Sequence, residues 1–265
     1  MLAAEFPSEI PRTQNRNVPY TQTLGNIKQK MKILSEKSPL KYLPRELKGE
    51  QLLIFDSIRI TFEMIEHNYS CLEERLLQIS KPKNKKEGVS AIFNYAWNVI
   101  DHTSRFIKIY KELPSDSNYE VLNSIKHVNS FRNTLQHLNE RINESLLKNR
   151  SPFYGILIWF YQNPVTSEIS PMTLISGIEY GPKFEFTMPD LTHSNKEINH
   201  IWLQTVDKNK IIRTDISQII LDLKSVCEQN EKKLIELCNS KGFQLCDWSK
   251  RKDIMIRIKQ EPKKE

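Results

Sequence analysis

Three successive runs of apolar residues at steps of three and four constrain this chain more than any other feature. In the first, from Arg45 to Ile79, the residues Leu52, Phe55, Ile58, Phe62, Ile65, Tyr69, Leu72 and Leu76 fall on one side of a helix. The second, Val89 to Leu113, repeats the pattern with Ile92, Tyr95, Val99, Phe106 and Tyr110. Pro114 closes it, and Ser115 with Asp116 restarts a helix. The third runs from Asp116 to Lys148 through Ile125, Val128, Phe131, Leu135, Leu138, Ile142 and Leu146. A helix with one apolar stripe must bury it, and three long helices with short connections do so as an antiparallel bundle.

After Arg150 the texture changes. Phe153–Tyr161, Met172–Tyr180, Lys183–Met188 and Ile198–Val206, followed by Ile211 and Ile212, read as strands, with Asp207 to Lys210 as a hairpin turn. Sequential strands without helical patterns between them predict an antiparallel meander. Asp215 and Gln218 then form a capping-box pattern for a helix to about Cys238. The expected fold is α+β, mainly α. It has an arm with a short helix near Leu24–Leu34 (1–44), a helical bundle (45–150), an antiparallel β region (151–213), a helix packing on bundle or sheet (214–240) and a basic tail (241–265).

Charge and cysteine usage narrow the function classes. The net charge of +7 resides in two places: Lys81 to Gly88 holds four Lys against one Glu, and Lys250 to Glu265 holds seven Lys or Arg against three acids. The remainder is formally neutral. These segments read either as solvated lysine-rich punctuation or as phosphate contacts for RNA, with Lys83, Lys85 and Lys86 as the backbone candidates. The longest apolar run, Phe153 to Tyr161, is about half the length of a bilayer-crossing helix, and no basic stretch precedes an apolar core at the N-terminus. A cytoplasmic location without membrane association is expected. Cys71, Cys227, Cys238 and Cys246 form no CxxC pair and read as reduced thiols.

No GxGxxG, GxxxxGK[ST], HExxH or GxSxG motif occurs, and no two of the six histidines stand four residues apart, so neither a cofactor nor a metal is indicated. Attention falls on Ser130 to Arg141 (SFRNTLQHLNER) in the third helix. At about 100° per residue, Asn133 and His137 lie about 40° apart on the side opposite Leu135, with Arg132 on the flank. That placement describes a solvated helix face. It also offers a planar, permanently charged group suited to a phosphate, close to an imidazole that can move protons near neutral pH.

The spacing resembles the HEPN superfamily, in which an Arg is separated by four to six residues from a His on a late bundle helix, often with a polar residue directly after the Arg. Arg132, Asn133 and His137 match with four intervening residues, and the likeness spans about Glu50 to Lys148, including Ala96–Phe106 (AWNVIDHTSRF). Many members are metal-independent endoribonucleases of toxin-antitoxin and antiviral systems. They act as homodimers whose two motifs meet at the interface. The resemblance therefore implies Arg132 and His137 as the catalytic pair, Asn133 as an orienting residue, RNA as substrate, attack by the 2′-hydroxyl, and a cognate antitoxin or regulatory protein as a further partner. Asp101, Trp97 and Arg141 are accessory candidates. Asp101 either approaches this site or makes an i, i+4 ion pair with Arg105, and Trp97 either stacks a base or seals an interface. The strand-rich region departs from a plain bundle. A non-catalytic HEPN-like module that binds RNA or a protein partner is the alternative.

Overall fold

In a computed structural model, the described residues are 31–81, 88–113, 119–140, 142, 147, 151–178, 200–208 and 210–256. Among them are four α-helices, α1 (Gly49–Ile79), α2 (Val89–Tyr110), α3 (Val128–Gln136) and α4 (Ile216–Lys241). Four strands, β1 (Ile156–Gln162), β2 (Ile169–Ile175), β3 (Ile201–Asp207) and β4 (Lys210–Asp215), lie between α3 and α4 in sequence. No helix among the described residues is long and apolar enough to cross a membrane.

The helices α1 and α2 form as their stripes predict and pack antiparallel. Phe62 stacks on Phe106 at 4.7 Å, while the Asn98 side chain donates to that of Asn68 at 3.2 Å, so the contact advances along α1 as it retreats along α2. Ile58, Phe62, Ile65, Leu72 and Leu76 of α1 are buried against Ile92, Ala96, Val99, Ile100 and Phe106 of α2. Asp215 caps α4 through its Oδ1, which accepts from the Gln218 amide at 2.9 Å, the first half of the predicted capping box; the Gln218 side chain donates instead to Asp222 Oδ1 at 2.8 Å. Asp215 Oδ2 meets His200 Nδ1. The helix α4 ends at Gly242, whose φ of 69° is left-handed.

All four strands are antiparallel, but their order is β2-β1-β3-β4. This corrects the expected meander, in which β1 would be an edge strand paired with β2 alone. Two hairpins instead meet along β1 and β3, and the expected strand at Lys183–Met188 lies outside the described residues. The hairpin turn does form: Asp207 and Lys210 are register partners, and Lys208 has a φ of 46°. Leu157, Trp159, Leu174 and Leu203 of the sheet join Ile219, Leu223 and Val226 of α4 in the same core as α1 and α2. The Trp159 indole N–H donates to Ser80 Oγ at 2.9 Å, pinning the sheet to the end of α1. Gly155 immediately precedes β1, which starts at Ile156 in place of the longer strand expected from Phe153. Its φ is 87°, and a Cβ there would stand 2.4 Å from the Gln204 carbonyl oxygen.

The third helix departs most from expectation. In place of one helix over Asp116–Lys148, Tyr119–Leu122 is a single 3-10 turn, turns continue through His127, and α3 spans only Val128–Gln136 before turns resume at His137. Asn and Ser side chains compete for backbone and tertiary hydrogen bonds, which lowers helix propensity. Here the Ser104 hydroxyl donates to Asn129 Oδ1 at 2.7 Å, and His127 Nε2 lies 2.8 Å from the Thr214 hydroxyl, so contacts with α2 and β4 hold this stretch. Ile142 of the expected stripe is 40% exposed, and Leu146 is not among the described residues. Met31–Leu34 is not helical either: the Ile33 and Leu34 amides donate to the Glu66 carboxylate, and residues 1–30 lie outside the described chain.

Candidate active site

The short α3 lies against α2 with Val128, Phe131 and Thr134 buried, which sets the direction of the residues between them. Arg132 turns along the α2 surface. Its Nε donates to Asp101 Oδ1 at 3.0 Å, and its Nη1 donates to the Gln136 side-chain oxygen at 3.1 Å. The other carboxylate oxygen of Asp101 accepts from Arg105 Nε at 2.7 Å. The two readings of Asp101 are therefore both realised: it makes the i, i+4 pair and it reaches Arg132. Burial alone would raise the Asp101 carboxyl, but the hydrogen bonds and positive charge of Arg132 and Arg105 outweigh it and hold it below the usual carboxylate range.

His137 follows the last helical residue and caps α3, with its amide shared between the carbonyls of Asn133 and Thr134 at 3.2 Å each. Its ring is half exposed, and Nδ1 lies 3.0 Å from Glu140 Oε2. When Nδ1 carries the proton donated to Glu140, the neutral ring presents Nε2 as an acceptor. Asn133 is exposed. The sequence thus places Arg132 and His137 near one helix end, and each is held by its own carboxylate rather than by the other.

Trp97 does not belong to this site. It is 4% exposed, and its indole N–H donates to the Tyr154 carbonyl at 3.0 Å, so the ring is core and its polar edge is used. That corrects its assignment as a base-stacking accessory. Arg141, Lys83, Lys85 and Lys86 lie outside the described residues. Burial lowers His102, which stands beside Asp101, consistent with a packed histidine.

Gln136 and Glu140 were not singled out from sequence, although their spacings, four from Arg132 and three from His137, are those at which helical side chains meet. The same signal was available for His67 and Cys71 on α1, where Nε2 and Sγ stand 3.8 Å apart. Among the described residues no group of three or more His, Cys, Asp or Glu side chains is placed to hold a metal ion. No family model, no curated protein and no solved structure matches this chain.

Proposed function

We propose that the chain is a HEPN-type endoribonuclease that cuts RNA without a metal, using Arg132 and His137 of two copies brought together in a homodimer. The observation that carries this reading is the separate orientation of the two groups. Asp101 and Gln136 fix the Arg132 guanidinium at Nε and Nη1. Glu140 engages the Nδ1 edge of an exposed His137 ring. A charge-stabilising group and a proton-transfer group, each oriented by a neighbour, are what phosphodiester cleavage needs.

In the proposed reaction the 2′-hydroxyl oxygen attacks the adjacent phosphorus and its proton passes to His137 Nε2. The P–O5′ bond breaks, and the departing oxygen takes a proton from the imidazolium contributed by the second copy. Arg132 stabilises the extra charge on the pentacovalent phosphorus, while Asn133 orients the phosphate. The products are a 2′,3′-cyclic phosphate and a free 5′-hydroxyl. A cytoplasmic toxin or antiviral effector restrained by an antitoxin or regulatory protein is the corresponding biological role.

The test is incubation of the purified protein with mixed RNA in excess EDTA beside His137→Ala and Arg132→Gln. Cleavage by wild type alone, with 2′,3′-cyclic ends, is the expected result. Cleavage that persists in His137→Ala, or none by a dimeric wild type, refutes the assignment. The engagement of Arg132 by both Asp101 and Gln136 also suits a second reading, a non-catalytic RNA-binding or protein-interaction module. Under that reading both variants bind as wild type does and neither cleaves.

A further inference from the structure

Part of the basic C-terminal tail is folded onto a second basic segment. Beyond α4, the Cys246 amide donates to the Tyr42 carbonyl at 3.0 Å, the Trp248 indole N–H to the Leu43 carbonyl at 2.6 Å, and Lys252 Nζ to the Lys41 carbonyl at 3.4 Å. The strap is fastened where Asp253 accepts from Arg59 Nη2 at 3.1 Å. Arg59 is 1% exposed and is also held by Asp56 and Glu63, so Asp253 meets a fixed partner.

This docking gathers like charges. Arg45, from the loop before α1, and Arg251, from the strap, both lie over the Trp248 ring, with guanidinium carbons 5.9 and 5.6 Å from its centroid. Both are exposed, and among the described residues neither makes an ion pair. Asp253 is engaged by Arg59, and Asp247 by the amide and hydroxyl of Ser249, with Lys250 and Lys252 close enough to help hold its carboxyl below the usual range. Glu46 stands beside Arg45 in sequence and Lys250 beside Arg251, and these and Lys48 are all exposed.

We propose that Arg45, Trp248 and Arg251, flanked by Lys48 and Lys250, form a docking surface for the phosphodiester backbone of single-stranded RNA. The choice of RNA among polyanions rests on the endoribonuclease reading above. Two arginine forks can each take a phosphate, and their guanidinium carbons, 5.9 and 5.6 Å from one centroid, stand no more than 11.5 Å apart, within reach of neighbouring phosphates of one strand.

The test uses His137→Ala protein, so that RNA stays intact, and a fluorescein-labelled single-stranded 20-mer titrated by anisotropy across a range of KCl. Replacing Arg45 and Arg251 by Gln removes two phosphate contacts. The slope of log affinity against log salt should fall by about 1.4, and binding at 0.1 M salt should weaken by about 25-fold. Asp253→Asn, which leaves both arginines in place but loosens the strap, should weaken binding by a smaller factor. Absence of binding by the parent, or unchanged affinity and slope in the double variant with an unchanged melting temperature, overturns the proposal. So does equal, arginine-dependent binding of polyglutamate or of phosphatidylserine vesicles. Arginine-dependent RNA binding by a wild type that cleaves nothing would uphold this surface and sink the nuclease reading, and cleavage without arginine dependence would do the reverse.

Discussion

Replacing Asp101 by Asn tests the organisation of the candidate site most directly, because Asp101 is the one carboxylate shown to hold Arg132. It accepts two charge-assisted hydrogen bonds of different character. The pair with Arg132 joins α2 to α3 and is about one-fifth exposed on both sides, whereas Arg105 is 61% exposed and four residues away on the same helix. An exposed i, i+4 pair contributes about 0.3–0.5 kcal/mol. A hydrogen bond to a charged group contributes roughly 1.5–3 kcal/mol when well buried, and partial exposure brings the Arg132 bond to about 1–1.5 kcal/mol. Asp101→Asn should therefore destabilise the fold by about 1.3–2 kcal/mol at pH 7. In urea-unfolding double-mutant cycles, coupling of Asp101 to Arg132→Gln should be about 1 kcal/mol and coupling to Arg105→Gln less than half of that. The pH dependence has a definite sign. The folded carboxyl is held below its unfolded value, so the difference between wild type and Asp101→Asn is complete above the unfolded pKa of about 4 and closes as pH falls through the lower, folded value. Equal couplings to the two arginines, or a stability difference that does not shrink as the pH of a still-folded protein is lowered below the unfolded pKa, would refute the assignment.

Gly155→Ala should be among the most damaging single-methyl changes in the chain. The left-handed φ of 87° is costly for Ala, and the added carbon meets a backbone oxygen of β3 at 2.4 Å that cannot rotate away. A loss of roughly 3 kcal/mol, or about 6–12 °C in a calorimetric melt, is expected, and a change under 2 °C would contradict the register of β1 on β3. The thiols should divide by burial: Cys71 and Cys246 are partly exposed, whereas burial pushes the Cys227 and Cys238 thiols up, with Glu231 adding to the effect at Cys227. Ellman's reagent at pH 8 should titrate two thiols quickly and all four in denaturant, and a third rapid native thiol would show the core around α4 to be open.

The parts of the fold legible in the sequence are those in which one periodic pattern meets one packing surface. The helix α1 presents a single stripe to α2, and its spacing appears directly in Ile58, Phe62, Ile65, Tyr69, Leu72 and Leu76. For α4, the signal was a local cap, Asp215 with Gln218. The order of the strands was not legible, because β1 pairs with the nearby β2 and also with β3 some forty residues away, and no local signal encodes the second pairing. Trp97 was misplaced for a related reason. A bundle predicts one buried stripe on α2, but the segment leading into β1 covers a further side of the helix at Tyr154, and a residue that would face solvent in a bundle becomes core.

The same distinction governs the candidate site. The i, i+4 pair of Asp101 with Arg105 can be read from spacing alone, while the bond from Arg132 to Asp101 spans 31 residues and depends on how α3 lies across α2. A long third helix would have carried Arg132 and His137 as two points on a continuous solvated face. Because α3 stops at Gln136, His137 stands at a helix end and its neighbours are turn residues, among them Glu140, which reaches back to Nδ1. With Nδ1 turned to Glu140, the opposite edge of the half-exposed imidazole is left facing outward. The turn that ends α3 therefore sets the direction of the His137 ring. If His137 is the proton-transfer group proposed above, Glu140→Gln should leave RNA binding unchanged and slow cleavage. Glu140→Ala, which removes the orienting acceptor entirely, should slow it further, and equal cleavage by both variants and wild type would separate Glu140 from the chemistry.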